Sequence, residues 1–138
     1  MKVDVNWLNK ESHLEATNEN GGIIRIDGDS AIGGMEGGLS PLQLLLAGIG
    51  SCSAIDVVSI LEKQKQNLTG LSVEVDGDKQ KTDIGYKEFK TIHLHFTLSG
   101  DLNPKKVQRA LDLSITKYCS VSKALEKGSE ITYDFEIV

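Results

Sequence analysis

The sequence predicts an α+β fold in which antiparallel sheets pack around one long central helix. Three features carry that prediction. Strand-like runs are grouped as hairpins, a single apolar helical stretch runs from Ser40-Pro41 to about Lys65, and two shorter helical segments precede a last strand. Strands that cluster, instead of alternating strictly with helices, favour layered α+β over a doubly wound parallel sheet.

Val3, Val5 and Trp7 alternate with Lys2, Asp4 and Asn6, the period of a half-buried strand. A second short strand is expected over Leu14 to Thr17. Asn20-Gly21-Gly22 is a turn signal, and Ile23 to Asp27 reads as a third strand stopped by Gly28. Four glycines in the six residues from Gly33 to Gly38 mark a loop. Ser40-Pro41 then opens a helix, because Ser caps free N–H groups and Pro suits the first turn. Apolar residues surround most of its early part, so the helix is expected to be a central, buried one. Leu71, Val73 and Val75 alternate as a strand, Asp76 to Lys87 reads as a loop or frayed hairpin end, and Phe89 to Leu98 alternates as the clearest strand. Asn103-Pro104 opens a second helix, on which Val107, Ala110, Leu111, Ser114, Ile115 and Tyr118 recur at helical spacing. A short helix from Cys119 to Lys127 ends at Gly128, and Ile131, Tyr133, Phe135 and Ile137 form the last strand.

At 138 residues the chain has the length of one domain, 1–138, with room for a single core. A net charge of −5 with no basic run argues against a nucleic-acid partner, which needs clustered Lys and Arg. The most apolar stretch, Leu42 to Leu61, contains Asp56. That carboxylate alone would cost about 3 kcal/mol at a bilayer centre, so no membrane partner is expected. The N-terminal run has no apolar signal core, which places the chain in the cytoplasm. Two cysteines in that reducing compartment are catalytic or packed in preference to a permanent staple.

Cys52 lies on the long helix and fits two readings, a small buried hydrophobe or a reactive thiol. Cys119 precedes Ser120-Val121-Ser122, where the free N–H groups of a starting helix would stabilise a thiolate. Asp56, one turn after Cys52, would raise a thiol pKa. Zinc is not expected, because there is no Cys-x-x-Cys pair and His13 is remote from His93 and His95. Those two histidines share a strand face opposite Ile92, Leu94 and Phe96 and read as a polar surface.

The segment Ser40-Pro41 through Leu44-Leu45-Leu46-Ala47-Gly48 to Gly50-Ser51-Cys52-Ser53-Ala54, and the segment Lys117-Tyr118-Cys119-Ser120-Val121-Ser122-Lys123-Ala124-Leu125, together resemble the two cysteine motifs of the OsmC/Ohr family (osmotically induced protein C and organic hydroperoxide resistance proteins). Ala54 to Leu61 is similar to its YhfA-like branch. The resemblance implies an intertwined homodimer with two sites at the subunit interface. It implies reduction of organic hydroperoxides, with Cys52 as the peroxidatic thiol, Cys119 as the resolving thiol, an external dithiol reductant, and neither metal nor organic cofactor. The family supplies an Arg from the N-terminal hairpin to hold the thiolate, and a Glu soon after the helix-start Pro to orient that Arg. Here Leu42 and Gln43 follow Pro41, the turn from Asn18 to Gly22 carries no Arg, and the only arginines are Arg25 and Arg109. Arg25 and Glu36 are the supporting candidates. The alternative implied by the same resemblance is a non-catalytic OsmC-fold protein, sensing redox state or binding a small molecule among Met35, Leu42 and Leu44 to Leu46.

Overall fold

The N-terminal strands form a meander: β1 (Val3–Trp7), β2 (His13–Asn18) and β3 (Ile23–Asp27), in the order β1-β2-β3 with both pairings antiparallel. The β2–β3 turn is held by Asn18, whose Oδ1 accepts from the N–H groups of Asn20 (3.0 Å) and Gly22 (2.8 Å). Gly21 there adopts φ +83°, a conformation glycine enters without a Cβ penalty. The computed structural model describes residues 1–8, 11–28 and 37–138. They divide into two units, Met1–Leu45 and Leu46–Val138.

In the first unit Leu39 bridges β3 in parallel at Ile26. Gly37 N–H donates to the buried Asp27 carboxylate at 2.9 Å. Helix α1 (Pro41–Lys63) begins in this unit. Its start is a reciprocal cap: Gln43 N–H donates to Ser40 Oγ (3.2 Å), and Ser40 N–H donates to Gln43 Oε1 (2.8 Å).

The second unit holds the rest of α1, then β4 (Asn67–Lys81), β5 (Lys87–Asp101), α2 (Pro104–Leu113), α3 (Ser120–Leu125) and β6 (Glu130–Ile137). Strand order is β4-β5-β6. The expected antiparallel pairing holds for β4–β5, whereas β6 joins β5 in parallel. The reason is the connection: α2 and α3 form a crossover long enough to return the chain in the same direction. The segment from Asp76 to Lys87, read as a loop or frayed hairpin end, is the paired end of the β4–β5 hairpin. β4 continues to Lys81, and only the Gly85-containing turn remains, where Thr82 N–H donates to Tyr86 O at 2.7 Å.

β5 carries the core of this unit, with Ile92, Leu94, Phe96 and Leu98 fully buried. Each such side chain contributes about 2 kcal/mol of apolar burial. Phe89 is also buried, three positions before Ile92 and so off the two-residue period. A register shift between Gly77 and Lys79 of β4 absorbs the extra residue.

The α1 expectation is corrected. Ile49, Gly50, Ser53, Val57 and Leu61 are buried, whereas Leu45, Ile55 and Val58 are exposed. One chain covers one face of this helix and leaves a second apolar face bare. By length and composition α1 could cross a bilayer. Its buried face instead rests on the sheet, where a Cβ added at Gly50 would lie 2.8 Å from Val75 Cγ2.

The second helix also departs from its expected stripe. Asn103 caps α2 by accepting from Lys105 N–H at 2.9 Å, and Val107, Ala110, Leu111, Ser114 and Ile115 are buried as the spacing predicts. From Ser114 to Tyr118 the backbone widens into a π-helical turn, closed by Cys119 N–H donating to Ser114 O at 2.7 Å. The extra residue rotates Tyr118 off the stripe and leaves it exposed, while Cys119 turns inward and is buried.

Candidate active site

Two elements of the second unit bring the cysteines together. On α1, Cys52 is half-buried, and Asp56 lies four residues on, hence on the same face one turn away. Opposite them, the π-helical turn delivers Cys119. The two sulfurs and an Asp56 carboxylate oxygen all lie within 4.8 Å of one another. Both cysteines are free thiols.

The surroundings are polar and partly buried. Ser114 Oγ donates to Asp56 Oδ2 at 3.0 Å and reaches the Ser53 carbonyl at 3.4 Å. Ser122 Oγ, also buried, donates to the Ile115 carbonyl at 3.1 Å. Cys119 is the N-cap of α3, its sulfur accepting from Ser122 N–H at 3.3 Å. The predicted helix-start contact is therefore present, but it does not acidify the thiol. Burial pushes Cys119 up to about 12; the Ser122 N–H pulls it down by less, while neighbouring Cys52 and Asp56 push the same way as burial. The carboxylate effect anticipated from Asp56 is thus present at Cys119.

The remaining candidates are on other elements or outside the described residues. Arg25 is on β3 in the first unit, with Nε 3.0 Å from Glu15 Oε2. Glu36 and Met35 lie outside the described residues. Arg109 is exposed on α2. Gln43, at the place after Pro41 where the family's acid was looked for, is occupied in capping α1. His93 and His95 line the solvent-facing side of β5 as expected, against β6. His93 Nε2 and His95 Nδ1 both reach Asp134 Oδ1, at 3.1 and 2.7 Å. Hydrogen bonds to Asp134 and then Glu136 raise the His95 pKa, and His95 in turn lowers that of Asp134.

Ser114 and Ser122 were not singled out from sequence. Their one legible signal is a small hydroxyl residue in a buried helical position, where its O–H must find a partner. For Ser114 that partner is the carboxylate beside the thiols.

Comparisons with known proteins show the family and the fold. A family model described as OsmC-like protein matches residues 33–134. Protein YhfA of Escherichia coli strain K12 is 37% identical over 139 residues, covering 100% of this chain and 98% of its own length. A structural-genomics structure, also 37% identical, aligns with TM-score 0.87 over 100% of this chain and 98% of that one. An organic hydroperoxide resistance protein OsmC from Legionella pneumophila shares the fold at 18% identity, with TM-score 0.74 over 98% and 95% of the two chains. With two cysteine segments folded against each other and a family match spanning most of its length, this chain belongs to the OsmC-like proteins.

Proposed function

We propose that the protein is a cytoplasmic, homodimeric thiol peroxidase that reduces organic hydroperoxides in an oxidative or osmotic stress response. The observation that carries this reading is the approach of Cys52 and Cys119, half the chain apart in sequence, to within 4.8 Å. Burial keeps Cys119 protonated at neutral pH, so the half-buried Cys52 is the attacking thiol. Its thiolate displaces an alkoxide from the peroxide O–O bond. The alkoxide takes a proton and leaves as alcohol, and Cys52 becomes a sulfenic acid. Cys119 sulfur then attacks Cys52 sulfur, forming a disulfide and releasing water. An external dithiol returns both to thiols by exchange, ending as its own disulfide. A cation at Cys52 would raise its thiolate fraction; Arg25 is the candidate for that role, with Glu36 as the acid that orients it. The family name shared with the Legionella pneumophila hydroperoxide resistance protein supports the choice of substrate.

The test is dithiothreitol-dependent consumption of cumene hydroperoxide. The parent is expected to turn over, Cys52→Ser to lose turnover, and Cys119→Ser to stop at a Cys52 sulfenic acid. No dithiol consumption by the parent would remove the reading. Arg25, the candidate cation, pairs with Glu15 at 3.0 Å, which favours a second reading, a non-catalytic redox sensor. It would then form the disulfide once per peroxide without turning over.

A further inference from the structure

Cys52 and Asp56 stand at the i, i+4 spacing that lets two side chains on one helix grip a single ion. Cys119 faces them from a different element, and the three ligand atoms are mutually within 4.8 Å. Around a tetrahedral zinc ion with metal–sulfur bonds of about 2.3 Å, neighbouring ligand atoms stand about 3.8 Å apart. The separations, all within 4.8 Å, approach that spacing. Asp56 is already oriented, because Ser114 Oγ holds Oδ2 at 3.0 Å and leaves Oδ1 available. Among the described residues Asp56 makes no ion pair, so no side-chain cation occupies the place a metal would take.

We propose that Cys52, Asp56 and Cys119 form a three-ligand site for a thiophilic divalent cation of the zinc class, with the fourth position open to water. Two thiolates select a soft or borderline ion over magnesium or calcium. On loading, both thiols release their protons to solvent as two metal–sulfur bonds form, and no electron is transferred. The inference goes beyond the peroxidase reading and does not depend on it. A loaded site would commit both sulfurs to the metal, so metal binding and peroxide attack would exclude each other. In the sequence, the lack of a Cys-x-x-Cys pair and the spacing of the histidines speak against zinc, because spacing along the chain does not join Cys119 to the Cys52–Asp56 pair.

The experiment titrates the fully reduced, full-length protein with Co2+ alone under anaerobic conditions, then with Zn2+. One Co2+ per chain is expected, with a thiolate charge-transfer band and the strong visible bands of tetrahedral cobalt, both bleached by Zn2+. Cys52→Ser and Cys119→Ser are expected to lose the thiolate band. Asp56→Asn should shift the visible bands and weaken binding, and Ser114→Ala should weaken it about tenfold. The double variant His93→Gln/His95→Gln should change nothing. Should Cys119→Ser fail to fold, Zn2+ protection of both thiols from alkylation in the parent reports the same site. Absence of a thiolate band, its survival in Cys52→Ser, unaltered binding in Asp56→Asn, or loss of binding in the histidine variant would each overturn the proposal. None of these readouts uses peroxide, so a silent peroxidase assay leaves them intact.

Discussion

Cys119 is where environment overrides residue type. A thiol has an ordinary pKa of about 8.5, and here burial lifts it to about 12. The unfolded chain therefore gives up this proton first as pH rises, so the folded state binds more protons and loses stability with increasing pH. Denaturation midpoints measured from pH 8.5 to 10 should fall in the parent and be flatter in Cys119→Ser. Tyr133, also held at about 12 by burial and by its hydrogen bond to Asp112, loses its proton in the unfolded chain near pH ~10 and so adds to the fall only at the top of that window. The sequence made Cys52, Cys119 and Asp56 visible as chemistry-bearing residues. It could not give the sign at Cys119, because a helix N-terminus and burial act in opposite directions and only the fold sets their sizes.

Among the elements, α1 shows both what patterning reveals and what it misses. Its start was legible in Ser40-Pro41, and the cap is reciprocal through Gln43. Ser40→Ala should cost about 1 kcal/mol, read as a thermal midpoint lower by about 4 °C. Its burial was not legible, since an apolar face awaiting a partner and an apolar face in a core have the same composition. β5 was found from alternation, yet the off-period pair Phe89 and Ile92 needs the register shift opposite Gly77 and Lys79, which no local pattern encodes. The helical spacing through Tyr118 likewise assumed 3.6 residues per turn to the end, and the wider turn breaks that assumption at the position that aims Cys119.

At the scale of the whole molecule, the bare side of α1 bears on assembly. Ile55 is 70% and Val58 43% exposed, and both would be costly to leave in water. The proposed homodimer would cover them, with Leu45 on the same helix. Ile55→Glu with Val58→Glu should convert a dimer into a monomer in sedimentation or light scattering; a parent that is already monomeric would refute the assembly. Family and architecture were readable because two motifs and the element order span the chain. The parallel entry of β6 was not, since its partner lies on the far side of two helices. Finally, the reach between the two sulfurs depends on one surplus residue in the backbone between Ser114 and Tyr118. Excising one codon there would remove the wide turn and, with it, the inward turn of Cys119. Such a deletion would separate the thiols without altering either of them, so the spacing of this stretch is as much a part of the chemistry as the sulfur itself.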